Sequence, residues 1–182
     1  MRLRAIRLAE FRRFAQTLEI VDLQPGLNLF TGPNEAGKST VAAAVRAAFL
    51  ERYKTSKVAD FAPRGLAGAR PAVELEFEVG DTTYRLSKAF LHKARCELLI
   101  DGTQRLEGEA AEDALAQLLG FEFPGKGQSR PEHAGVPGLL WIQQGDSQSR
   151  APMQHAGSHL RDALQRVSGE LAAGDGDRLL QK

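Results

Sequence analysis

Gly32-Pro33-Asn34-Glu35-Ala36-Gly37-Lys38-Ser39-Thr40 is the most specific signal in the chain. It matches G-x-x-x-x-G-K-[ST], the pattern of a phosphate-cradling loop. Each part has a chemical reason. The two glycines let successive backbone N–H groups curl inward as an anion nest. The helix that follows points its positive end at the phosphates. Lys38 supplies a compact charge for the β- and γ-phosphates. The Ser39 hydroxyl is placed to hold Mg²⁺, a cation that takes few protein ligands and completes its shell with phosphate oxygens and water. Glycine is about 7% of average sequence, so a chance match in a chain of this size is roughly a one-in-a-hundred event.

The flanks agree with the motif. Leu27 to Thr31 (LNLFT) predicts a short apolar strand before the loop, and Lys38 to Tyr53 predicts a helix after it. A strand leading in and a helix leading out are what the mechanism requires. Further out, Arg2 to Leu8 alternates as a strand, Glu10 to Phe14 breaks the alternation, and Thr17 to Leu23 predicts a second strand. Gln24-Pro25-Gly26 is a turn, with Pro presetting φ. Ser56 to Pro71 carries two prolines and two glycines and is expected as a loop.

Beyond Pro71 the chemistry changes to hairpins. Val73 to Val79 (VELEFEV) alternates strictly, Gly80-Asp81 is a tight turn, and Thr82 to Phe90 returns. Arg95 to Ile100, the Asp101-Gly102 turn and Thr103 to Leu106 extend an antiparallel block of three or four strands. Gly108 to Leu119 predicts an amphipathic helix. Gly120 to Pro137 is a long loop, and Leu139 to Ile142 (LLWI) predicts a buried strand ending in Gln143-Gln144-Gly145. In Ser158 to Ala172, Leu160, Leu164, Val167 and Leu171 fall at 4-3-4 spacing. That stripe fits a coiled-coil seam or an ordinary amphipathic helix. The expected organisation is a head lobe over residues 1–150, then a linker and the root of a coiled-coil helix over 151–182.

Composition bounds the reading. The chain has 182 residues, 42% hydrophobic and 26% charged, which excludes disordered, collagen-like and disulfide-scaffold classes. No apolar run approaches the ~20 residues that span a bilayer. Twenty-four basic and 23 acidic side chains give net charge +1, which predicts no indiscriminate polyanion binding. Locally, Arg2, Arg4, Arg7, Arg12 and Arg13 face only Glu10, and two readings stand: a basic patch or a solvated strand face. His92, Lys93 and Arg95 form a basic hairpin tip beside Arg85 and Lys88, read as a solvated tip or a contact for DNA phosphates. Cys96, the only cysteine, is expected as an inert buried thiol, consistent with a reducing compartment. With no apolar leader segment, the expected location is cytoplasmic.

The order of these segments carries a resemblance. A basic strand, then E-F-R-R-F (Glu10 to Phe14), P-G-L-N-L-F (Pro25 to Phe30) and GPNEAGKST resembles the N-terminal half of the ATPase head in the SMC, SbcC and RecF group of ABC-type ATPases. The E-A before G-K-S-T is similar to SbcC-like and YhaN-like members. L-L-W-I-Q-Q-G-D (Leu139 to Asp146) resembles the glutamine loop of SbcC-type ATPases. The resemblance implies an α/β phosphate-loop NTPase lobe with an antiparallel β block and the start of a coiled-coil helix. It implies ATP and Mg²⁺ as ligands. Arg12 would approach the nucleotide, Asn34, Glu35, Ala36, Gly37, Lys38, Ser39 and Thr40 would wrap the phosphates, and Ser39 and Gln144 would both meet Mg²⁺. It implies a second head as partner in an ATP-bound homodimer, the C-terminal half of the same protein, DNA in repair or recombination, and a nuclease subunit.

The family's hydrolytic apparatus is not evident. Leu98-Leu99-Ile100-Asp101 looks like the strand that ends in an acidic pair, but Asp101 precedes Gly102 and reads as a turn. Val167-Ser168-Gly169-Glu170 is a poor echo of the S-G-G signature. The chain therefore reads as a piece ending where the coiled coil begins, with ATP binding and negligible hydrolysis of its own. The alternative is a stand-alone phosphate-loop regulator or small kinase, which would need Asp101 or Asp146 as its metal or base residue.

Overall fold

The computed structural model describes residues 1–55, 58–121 and 123. The chain divides into two compact units, Met1–Ala116 and Gln117–Lys182, and the described residues fall almost wholly in the first. Six strands form one sheet: β1 (Arg2–Ala9), β2 (Leu18–Ile20), β3 (Ala72–Val79), β4 (Thr82–Ala89), β5 (Arg95–Ile100) and β6 (Gln104–Glu107). Their order is β2-β1-β3-β4-β5-β6, and every pairing is antiparallel. The expected block of three or four strands is thus larger. The N-terminal hairpin joins it because β1 pairs along its length with β3, from Arg2↔Glu78 to Ala9↔Ala72.

Period-2 alternation decides which face each side chain takes. In β3, Val73, Leu75 and Phe77 are buried and Glu74, Glu76 and Glu78 take the other face. Leu86 of β4 and Leu98 of β5 continue the buried layer. Helix α1 (Lys38–Leu50) lies on that layer through Val41, Ala44, Val45, Ala48 and Phe49. Phe49 meets Phe77 edge-on at 5.4 Å between ring centroids. Each of these large side chains contributes about 1.5–3 kcal/mol by leaving water. A 3₁₀ turn at Ala59–Phe61 interrupts the loop after α1, and Phe61 packs against Phe11 and Phe90. Helix α2 (Gly108–Leu119) follows β6 directly and buries Ala111, Glu112, Leu115 and Ala116.

The opposite face of the sheet is a ladder of charges. Arg7 reaches Glu19, Glu74 and Glu76 at 2.5–3.0 Å, Arg4 and Arg2 reach Glu78, and Arg85 reaches Glu76. The Arg7 guanidinium beside Glu76 holds that carboxyl below its ordinary range. Of the two readings of the N-terminal arginines, the solvated strand face is the one formed by Arg2, Arg4 and Arg7.

Two expectations need correction. Leu27 to Thr31 forms no strand. Leu27 is 91% exposed and Leu29 79%. A strand exists through its ladder bonds, and no described strand lies alongside to supply them. The preceding turn is closed instead by Asn28, whose side chain accepts from Gln24 N at 2.9 Å and donates to Gln24 O at 2.8 Å. Helix α1 also stops three residues short of Tyr53, because Glu51 turns extended. The expectations for the loop 120–137, the strand 139–142, Gln143, Gln144 and the helix 158–172 lie outside the described residues.

Candidate nucleotide-binding site

The loop Gly32–Gly37 enters α1 with Gly37 in the left-handed region at φ 101°. Gly37 is the N-cap and gives the helix no side-chain cap. The first-turn N–H groups therefore keep no side-chain acceptor of their own at this position, the arrangement that suits an anion. Glu35 is also left-handed, at φ 64°. Ala36 N donates to Pro33 O at 3.3 Å. Asn34, Glu35, Ala36, Lys38 and Ser39 are exposed, and Thr40 is half-buried. The structure thus brings the consecutive candidates 34 to 40 together on one solvent-facing turn.

Lys38 folds back over the loop. Its Nζ donates to Gly32 O at 2.7 Å and to Pro33 O at 2.8 Å. These are two neutral carbonyl partners, so a phosphate oxygen offers the ammonium a stronger, charge-assisted bond. Ser39, one residue on, is exposed at the first turn, where an oxygen ligand for Mg²⁺ is expected.

Arg12 sits elsewhere. Its Nη2 meets Asp60 Oδ2 at 2.7 Å, its guanidinium lies 5.5 Å from the Phe61 ring centre, and its N–H donates to Phe61 O at 2.6 Å. Arg12 is held by the 3₁₀ turn, and its sequence neighbours touch the loop. A Cβ added to Gly37 would lie 2.9 Å from Arg13 Cδ and 2.9 Å from Phe14 Cε2. Gln144 lies outside the described residues.

Asp101 is occupied as a turn residue. Its Oδ1 accepts from Thr83 N at 2.8 Å and from Thr83 Oγ1 at 3.1 Å, and its own N–H donates to Thr83 O at 2.9 Å. Oδ1 thereby closes the β5–β6 connection onto β4, the turn role read from Asp101-Gly102. Cys96 is buried, and burial pushes its thiol up to about 11, as an inert thiol requires.

One buried pair was not read from the sequence. Lys88 Nζ lies 3.1 Å from Glu112 Oε1 and donates to Glu51 O at 2.8 Å. Glu112 also accepts from Tyr53 N at 2.8 Å and faces Arg52 at 3.5 Å. Lys88 is therefore not part of a basic hairpin tip; it is 0% exposed. Strand parity was the available signal, because Lys88 shares the inward face of Leu86. Among the described residues no cluster of His, Cys, Asp and Glu could hold a metal, and no helix is long and apolar enough to cross a membrane.

Residues 5–115 match the family AAA_23, an AAA domain. A solved structure from work on ATP-driven dimerization and DNA stimulated activation of SMC ATPases superposes with TM-score 0.56 at 14% identity, covering 88% of this chain and 99% of that one. An SMC head domain from Thermotoga maritima is matched at 21% identity and TM-score 0.41, over 63% of this chain and 42% of that one. No curated protein matches the chain. The fold of the first of these is the SMC ATPase head expected from the order of the sequence motifs. With the family match spanning well over half of its length, the chain belongs to the AAA_23 family of AAA domains.

Proposed function

We propose that this chain is the ATP-binding N-terminal lobe of an SMC/SbcC-like ATPase. The carrying observation is the loop 32–37 opening α1 with an uncapped N-terminus and Lys38 poised over it. In this reading Asn34 to Thr40 wrap the phosphates of ATP. Lys38 exchanges its two carbonyls for phosphate oxygens, and Arg12 reaches the nucleotide by leaving Asp60. Ser39 and Gln144 would hold Mg²⁺, which would supply positive charge to offset that of the phosphates. The full protein hydrolyses ATP in a dimer of heads, and this lobe alone binds without turnover.

The exposed apolar stretch Leu27, Leu29 and Phe30 supports a partner strand from the C-terminal half of the same protein. Charge placement supports DNA as the ligand of the assembly. Among the described residues, Arg13, Arg64, Arg70, Lys93 and Arg95 make no ion pair with a carboxylate. Their segments are joined: Arg70 Nη2 donates to Lys93 O at 3.3 Å, Arg70 N to Glu10 Oε2 at 2.6 Å, and Phe90 N to Pro71 O at 2.8 Å. Cations of this kind suit backbone phosphates. A role in repair or recombination and a cytoplasmic location follow from the family resemblance, as does a nuclease subunit as further partner.

The test is equilibrium binding of a fluorescent ATP analogue with Mg²⁺. Lys38→Ala should lower affinity at least tenfold, since it removes the one positive side-chain charge on the loop. Asp101→Asn should leave affinity unchanged. The reading fails if Lys38→Ala binds as the parent does, and a loss confined to Asp101→Asn would favour the stand-alone kinase or regulator.

A further inference from the structure

The loop has few bonds that fix its shape from outside. Apart from those of Lys38, its hydrogen bonds among the described residues are the Ala36–Pro33 turn and Val41 N donating to Gly37 O at 3.0 Å. Its brace comes from the turn between β1 and β2. Phe11 and Phe14 exchange backbone bonds, Phe11 N to Phe14 O at 2.9 Å and Phe14 N to Phe11 O at 3.0 Å. Phe11 is fully buried against Phe61 at 4.7 Å, and Arg12 N is tied to Phe61 O. The turn is thus anchored in the core at one end. At the other, the ring of Phe14 fills the space a Cβ on Gly37 would need.

We infer that Phe14 is a positioning residue for the phosphate loop, a role that rests on the nucleotide-binding reading above. Gly37 is buried, unlike its neighbours in the loop, and Phe14 is half-buried over it. The ring blocks the directions in which Gly37 would relax, and glycine at φ 101° has more freedom to relax than any other residue. Holding Gly37 left-handed keeps the N–H groups of Lys38 and Ser39 aimed at one point. Without the wedge those donors spend part of their time turned away, and phosphate affinity falls by that fraction. The effect acts on phosphates and not on the base, so ATP and GTP are weakened alike. A ring that stacked directly on the base would instead change their ratio.

The experiment uses the 182-residue chain and a graded series, Phe14→Leu, Phe14→Val and Phe14→Ala. Circular dichroism selects the folded variants, and the smaller truncations carry the test if Phe14→Ala does not fold. The first readout is local hydrogen exchange without nucleotide at Ala36 and Val41, whose N–H groups are the hydrogen-bonded ones at the loop. Loop exchange at these two should speed at least fivefold from Leu to Ala while the strands keep parental protection. The second is ATP and GTP affinity, expected to fall about tenfold in Phe14→Ala with an unchanged ratio, and no more than threefold in Phe14→Leu. Parental loop exchange in a folded Val or Ala variant overturns the inference, as does a shift in the ATP-to-GTP ratio. A parent chain with no ATP affinity that Lys38→Ala removes would overturn the nucleotide reading instead, and the exchange result would still judge the wedge.

Discussion

Removing one member of the Lys88–Glu112 pair should be among the most damaging single changes in this domain. Both side chains are essentially excluded from solvent, and their charged atoms lie 3.1 Å apart. The pair gathers three segments. Lys88 on β4 closes the carbonyl of Glu51 at the end of α1, where a cation also complements the helix dipole. Glu112 on α2 satisfies the N–H of Tyr53 just beyond it. Lys88→Met leaves a buried carboxylate and an orphaned carbonyl. Breaking a buried pair from one side costs about 3–5 kcal/mol. Glu112→Gln keeps an acceptor for Tyr53 but strands the ammonium, so about 2–4 kcal/mol is expected. In Lys88→Met/Glu112→Gln no charge remains to be stranded, and the double variant should recover about 1.5–3 kcal/mol relative to the sum. Urea unfolding followed by circular dichroism at 25 °C measures all four corners of the cycle, provided the slope with urea stays constant. Singles that each cost less than about 1 kcal/mol, with coupling below about 0.5 kcal/mol, would refute the argument, because a solvent-exposed pair behaves that way.

Three further outcomes follow from the same geometry. Arg64→Glu/Lys93→Glu/Arg95→Glu should weaken duplex DNA binding at least tenfold and flatten its salt dependence, read by fluorescence anisotropy, while ATP affinity holds; unchanged affinity and slope would remove this end of the sheet as the contact. Arg7→Ala should cost about 1 kcal/mol at pH 7. Glu76 has a folded pKa below its unfolded one, so the stability Arg7 lends it is present above the ordinary carboxylate range and is lost as pH falls through the lowered value. The parent and Arg7→Ala unfolding curves should therefore converge as pH falls below the ordinary carboxylate range, and a constant gap would show that the arginine acts through packing alone. Cys96, with its thiol near 11, should react with a disulfide reagent at pH 8 only on unfolding, since about 0.1% of it is thiolate there; rapid stoichiometric labelling of the native chain would contradict its burial.

How legible a segment was depended on whether its partners were local. The hairpins β3–β4 and β5–β6 were readable because their turns and alternation lie within a few residues of one another, while α1 followed from the helix propensity of its alanines and leucine and α2 from its periodicity. The length of the sheet was not, because β1 pairs with β3 some seventy positions away, beyond the reach of any local pattern. Leu27 to Thr31 shows the converse. Its composition suits a strand, and composition cannot say whether a neighbour is there to receive its bonds. At the site, the loop 32–40 was legible because each residue type answers to phosphate chemistry directly. Phe14 was not, because its role depends on Gly37 having no side chain, and only coordinates show whose ring takes the vacant space.

Net charge was the least informative number in the sequence, and the fold explains why. A balance of +1 treats every carboxylate as available to every cation. The register of the sheet allots them instead. It sets Glu74, Glu76 and Glu78 on the outer face, where Arg7, Arg4, Arg2 and Arg85 meet them, and β5 and β6 give Glu97 and Glu107 to Arg105. Asp60 goes to Arg12, and Glu112 to Lys88. Once these acids are engaged, the cations left without one among the described residues, Lys38 of the phosphate loop apart, are found on the turn 10–14, the loop 62–71 and the turn 90–95, on segments that contact one another. A neutral chain can therefore carry a strongly polarised surface, provided strand alternation spends its acids on one face. The same pairing makes salt the discriminating variable: the paired face should be indifferent to ionic strength as a binding surface, and the unpaired end should respond steeply.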